Sequence, residues 1–155
     1  MSCACFKVRP MVAADIPAAL ALWQVTEGMG LGDSDRPERL AAFLDRNPAL
    51  SAVAVDGAGT LIGAVLCGDD GRRGCLYHLA VRRERRRSGV ARALVAHCLA
   101  GLKSREIEKC NLFLLSSNTE GERFWQHEGW TWRDNLKVFQ RNVAAGTKVE
   151  CGCTC

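Results

Sequence analysis

The chain has 155 residues, 48% of them hydrophobic and 25% charged, with a formal net charge of +4. This composition excludes a disordered chain and suits a single domain over 1–155, with a core expected at about 6–143 and a Cys-containing tail at 144–155. No apolar run approaches the ~20 residues of a membrane-spanning helix, and "MSCACFKVRP" has no long apolar leader region, so a cytoplasmic protein without a membrane partner is expected.

In chain order, "FKVRPM" from Phe6 predicts a first strand ending near Pro10. Asp15 is placed to cap a helix through "IPAALALWQ", with Ile16, Leu20 and Trp23 on one stripe and Pro17 in the first turn. Gly28, Gly30 and Gly32 interrupt it. Asp35 then restarts a helix, with Glu38 three residues on as a capping-box pair and Leu40, Phe43 and Leu44 inward. "SAVAV" and "LIGAVLC" flank "DGAG", the chemistry of a hairpin turn, and "GDDGRRG" leads on to "CLYHLAV", apolar enough for a central strand.

The segment Arg82–Leu94, "RRERRRSGVARAL", then packs six Arg into thirteen positions. Without Arg82, Arg83, Arg85, Arg86 and Arg87 the chain is close to neutral, and no basic–aromatic interleaving occurs elsewhere, so nucleic acid is not an expected partner. Beyond it, Val90, Ala91, Leu94, Val95, Cys98, Leu99 and Leu102 recur at helical spacing. A strand running into a helix through a loop of Arg, Ser and Gly presents unpaired N–H groups, a helix dipole and bidentate guanidiniums to an anion. Gly89 would let the backbone approach without a Cβ in the way. The local chemistry is that of a pyrophosphate cradle.

"CNLFLL" reads as a buried strand, Thr119 to Glu128 as an amphipathic helix closed by Gly129, and "WTWR" and "LKVFQRNV" as final strands. The order β-α-α-β-β-β-α-β-α-β-β describes an α+β fold, helices flanking a mixed central sheet. Of nine Cys, Cys67, Cys75, Cys98 and Cys110 sit singly in apolar stretches. Cys3, Cys5, Cys151, Cys153 and Cys155 crowd the ends, where thiolates could hold a soft metal; the expected reading is a reduced tail with no metal.

"RRSGVA", Arg86 to Ala91, resembles the Q/R-x-x-G-x-G/A pattern of the GNAT N-acetyltransferase superfamily, and it lies between "HLAV" and an amphipathic helix, as it does there. "NTEGERFWQHEGW" is similar to that family's N-x-x-A-x-x-F-Y-x-x-x-G-F segment, with Asn118, Phe124, Gly129 and Trp130 in register. The likeness is strongest to small, stand-alone bacterial members. It implies a GNAT-like sheet and acetyl-CoA as co-substrate, donating acetyl to a primary amine of a small molecule or peptide. It also implies that the backbone of Leu79, Ala80 and Val81 meets the pantetheine arm. Arg86, Arg87, Ser88, Gly89, Val90, Ala91 and Arg92 would surround the phosphates, and Asn118 and Phe124 would line the arm and thiol.

The same resemblance places a backbone N–H near Val81 at the thioester carbonyl, in the manner of an oxyanion hole. Many relatives use the Tyr of the F-Y pair as acid for the leaving thiolate. Trp125 stands there instead, and an indole is no acid at neutral pH. Tyr77, the one phenol in the chain, is the expected acid or holder of a relay water, with Glu27 the rival as base. Strand alternation sends Tyr77 and His78 to opposite faces, and His78 reads as a packed imidazole. His97 and His127 read as structural or exposed. Glu27, Asp33, Asp35, Asp69 and Asp70 are carboxylates suited to a cationic acceptor. A CoA-binding regulator without efficient catalysis is the alternative, and a homodimer is left open.

Overall fold

The computed structural model describes residues 5–144. Strand β1 (Phe6–Pro10) leads through a 3-10 turn (Ala13–Asp15) into helix α1 (Ile16–Gln24). A second 3-10 turn (Asp33–Asp35) precedes α2 (Pro37–Arg46). Strands β2 (Ala52–Asp56), β3 (Leu61–Asp69) and β4 (Gly74–Val81) follow as a meander, then α3 (Val90–Ser104), β5 (Cys110–Leu112) and α4 (Thr119–His127). The sheet runs β1-β2-β3-β4-β5, with every neighbour antiparallel except the parallel pair β4–β5. The mixed α+β architecture and the element order through α4 are those expected.

Each sheet face carries its own core. On one, α1 and α2 bury Ile16, Ala19, Leu22, Trp23, Leu40 and Leu44 against Val53, Ala64 and Leu66. On the other, α3 buries Val90, Leu94, Val95, Cys98 and Leu102 against Ile62, Val65 and Cys67; of the predicted stripe, Ala91 is only partly buried and Leu99 is exposed. Gly63 of β3 permits this close approach: a Cβ there would lie 2.9 Å from Val90 Cγ1 and 3.0 Å from Leu94 Cδ1. The start of α3 is thereby drawn down onto β3, beside the end of β4.

Both predicted helix caps have other duties. The Asp15 carboxylate accepts from the Val12 N–H (2.9 Å) and pairs with Arg9 (2.7 Å), closing the 3-10 turn ahead of α1. Asp35 lies inside a turn, where it accepts from the Gly32 N–H (2.9 Å), and α2 starts on Pro37 with no side-chain cap. A short polar side chain at a helix start serves whichever donors the tertiary fold brings nearest.

Residues 131–144 form no strand, contrary to the reading of "WTWR" and "LKVFQRNV". Trp132, Leu136, Val138, Phe139 and Val143 are exposed. Alternating apolar residues make a strand only where a free edge accepts them in register. The edge strand β5 pairs over three residues, too short to hold a longer segment. Among the terminal cysteines, Cys5 is exposed and the rest lie outside the described residues.

Candidate active site

An open cleft of about 1390 Å³ lies between β4, β5, the start of α3, α4 and the loop after α1. Its origin is the short β4–β5 pairing. The parallel ladder ends at Leu76 and Leu112, so β4 continues to Val81 with one edge unpaired by β5. The Arg82 N–H bonds back to Ile62 on β3 (2.8 Å), so by alternation the Val81 N–H and C=O face the opened edge. Leu79, Ala80 and Val81 all line the cleft.

The loop after β4 closes one end. Arg87 has φ 61° and Gly89 φ 84°, both left-handed, and α3 starts immediately afterwards at Val90. Such left-handed turns curl successive N–H groups into an anion-binding hollow at a helix start. A Cβ on Gly89 would meet nothing within 4 Å, so the space before that backbone is open to a ligand. Arg87 is exposed and has no ion-pair partner among the described residues. The Ser88 hydroxyl bonds the Arg85 carbonyl and holds the turn.

The rest of the Arg run makes specific contacts, though Arg82, Arg83, Arg86 and Arg92 stay exposed. The Arg82 Nε donates to the Leu61 carbonyl (2.8 Å). Arg85 is largely buried, its closest carboxylate Asp56 at 4.0 Å. Arg86 spans two elements, donating from Nε to the Val81 carbonyl (3.2 Å) and from Nη2 to Glu27 Oε2 (2.9 Å). Arg83 takes the other Glu27 oxygen. Arg92 is paired with Glu128 just after α4 (2.9 Å). At the far wall, Asn118 caps α4 by accepting from the Gly121 N–H (2.8 Å), and Phe124 stacks edge-on to Trp125 at 5.0 Å.

The two proton-transfer candidates sit differently. Glu27 lines the cleft, yet Arg86 first and Arg83 after it hold its carboxyl down at about 2, too low to take a proton near neutrality. Tyr77 is 40% exposed and packs edge-on to Phe43 at 6.1 Å. Burial and the neighbouring Cys75 push its phenol well above the ordinary range, making it a reluctant acid.

His78 is packed, as read, but the alternation expected of its strand fails there. Ala64 pairs with Ala80 but Leu66 pairs with Tyr77, so Val65 alone faces both His78 and Leu79. That is a β-bulge, with His78 at φ 54°. The extra residue breaks alternation, and Tyr77 and His78 point to the same face: Tyr77 meets Phe43 of α2, His78 meets Trp23 of α1 at 5.2 Å. His78 Nε2 lies 2.7 Å from Asp35 Oδ1. Nothing in the local sequence signals a bulge; the partner is 43 residues away.

The acidic residues expected to receive a cationic acceptor all have partners already. Asp33 pairs with Arg36 (2.9 Å), Asp35 with His78, and Asp69 with Arg105 (3.0 Å). Asp70 accepts from the Arg72 and Arg73 N–H groups of its own turn (2.8 Å each). His97 reaches the Ala49 carbonyl (3.0 Å), a structural role as read.

The sequence profile of the Acetyltransferase (GNAT) family matches residues 17–130. The chain belongs to that family. An acetyltransferase of Yersinia pestis (strain Pestoides F) is 36% identical over 100 residues, 64% of this chain and 70% of its own. An acetyltransferase of Sodalis glossinidius is 36% identical over 75 residues, 48% of this chain; the alignment spans about half, 52%, of that relative's length. In fold, this GNAT chain is similar to the PaiA N-acetyltransferase of Thermoplasma acidophilum, solved in complex with coenzyme A. The TM-score is 0.73 at 18% identity, covering 84% of this chain and 92% of that one.

Proposed function

We propose that this GNAT acetyltransferase moves the acetyl group of acetyl-CoA to a primary amine of a small molecule or peptide. The observation that carries the reading is the left-handed Gly89 at the start of α3, with open space before it and the unpaired edge of β4 leading to it. A pyrophosphate fits there: backbone N–H groups of Ser88 to Ala91, the guanidiniums of Arg86 and Arg87, and Arg92 at the rim all bring positive charge to one hollow. The backbone of Leu79, Ala80 and Val81 would hold the pantetheine amides, with Asn118 and Phe124 along the opposite wall.

The thioester is the activated acyl group that acetyl-CoA supplies when bound. The Val81 N–H would polarise its carbonyl as a preorganised donor. The acceptor must arrive as a neutral amine, because a protonated nitrogen has no lone pair to give. Turnover of acetyl-CoA against a panel of primary amines, followed by thiol release, tests the reading. Thiol release above the hydrolysis background with at least one amine is expected. Binding of acetyl-CoA without turnover on any amine would instead mark a CoA-binding regulator.

A further inference from the structure

We infer that His78 is the group that takes the proton from the attacking amine, with Asp35 as its positioning residue. The inference rests on the acetyltransferase reading above and on four features of the cleft.

The first is conformational. A non-glycine residue at φ 54° inside a strand is strained and persists only when its surroundings hold it there. The bulge at Val65 turns His78 out of the position that alternation assigns it and into the cleft wall. The second is the hydrogen bond. Asp35 is nearly buried, at 9% exposure, and a carboxylate only accepts, so the 2.7 Å contact puts the imidazole hydrogen on Nε2. The lone pair is then on Nδ1, which makes no hydrogen bond among the described residues; the side chain keeps 20% exposure. The third is rigidity. Asp35 is itself held by the Gly32 N–H (2.9 Å), and the Trp23 ring backs the imidazole at 5.2 Å. A base oriented by a carboxylate through its other nitrogen is a recurring arrangement for proton transfer. The fourth is elimination. Glu27 is occupied by Arg86 and Arg83, and the Tyr77 phenol is pushed up by burial.

The position suits the chemistry. Val81 is three residues further along β4, but the bulge shortens the step to about two residues' rise, roughly 7 Å, which brings the imidazole within one bridging water of an amine at the carbonyl. The amine lone pair attacks the thioester carbon, a C–N bond forms and the C–S bond breaks. The proton leaving nitrogen passes through the water to His78 Nδ1 and returns to the thiolate, so the products are the amide and free thiol.

The test uses the unaltered chain, His78→Asn and Asp35→Ala. Asn tolerates a left-handed backbone and should preserve the bulge; His78→Gln serves as a second variant if it does not. With ¹⁵N-labelled histidine, the free chain should show His78 protonated on Nε2, and Asp35→Ala should give a mixture of tautomers. Calorimetric affinity for acetyl-CoA should stay within about twofold in both variants. With the fastest amine of the panel, kcat should fall about 10²-fold in His78→Asn, with KM for acetyl-CoA little changed. A free chain protonated on Nδ1, or a His78→Asn variant with undiminished kcat, overturns the proposal. Binding of acetyl-CoA with no turnover on any amine, or no binding at all, overturns the functional reading and the proposal that rests on it; turnover that His78→Asn leaves undiminished overturns the proposal alone.

Discussion

The carboxylate of Glu27 lies across the mouth of the cleft from the guanidinium of Arg86, with 2.9 Å between Oε2 and Nη2. Arg83 takes the second oxygen, so one acid from the loop after α1 clasps two arginines of the loop before α3. The clasp stands where a phosphate would compete for the same guanidiniums.

Glu27→Gln should therefore tighten acetyl-CoA binding by about two- to fivefold, the scale of releasing an exposed ion pair. Titration calorimetry at low and high salt checks it, with the gain shrinking as salt screens the clasp. The same variant has a pH signature. The Glu27 carboxyl is depressed from 4.5 to about 2, so its contribution to stability is complete above 4.5 and is lost as pH falls toward 2. Thermal midpoints of the unaltered chain and Glu27→Gln should differ most above that window and converge at its acid end.

Gly89→Val should separate binding from folding. A β-branched residue at φ 84° is strained, yet its Cβ meets no neighbour in the free chain. The protein should still fold, with a modestly lower thermal midpoint. Stabilisation by acetyl-CoA should disappear, because the branched side chain fills the space before the cradle. A ligand-induced shift equal to that of the unaltered protein would contradict the placement of the phosphates.

Gly63→Ala should do the reverse. Its Cβ would press on Val90 Cγ1 at 2.9 Å and Leu94 Cδ1 at 3.0 Å, so α3 must move away from β3. Overpacking of this kind costs about 1–3 kcal/mol, readable in denaturant unfolding as a lower midpoint with an unchanged slope. Residual acetyl-CoA affinity should also drop, since the cradle travels with the start of α3.

Tyr77→Phe should be mild. The ring contact with Phe43 survives the change, and a phenol held above its ordinary range is a poor source of a proton. We expect kcat to fall less than about threefold with KM unchanged. A 10²-fold loss would return the proton transfer to Tyr77.

The amino-acid sequence by itself determined what is local. The run from Arg86 to Ala91 is contiguous, so the left-handed glycine, the guanidiniums and the helix start come together from backbone preferences alone. The α3 stripe of Val90, Leu94, Val95, Cys98 and Leu102 was equally legible, because a helix buries residues at its own period. Tertiary structure decided everything that needed a distant partner. Glu27 meets Arg86 across 59 residues, and pairing turns a candidate base into a clasp. Asp35 meets His78 across 43, and a single unpaired residue opposite Val65 turns a packed imidazole toward the cleft. Period-two patterning gives a side chain's face only while the ladder stays in register, and register is a property of two strands, not of one. For the same reason "LKVFQRNV" carried the pattern of a strand and yet formed none: a strand also requires a free edge of matching length, which the three paired residues of β5 do not offer.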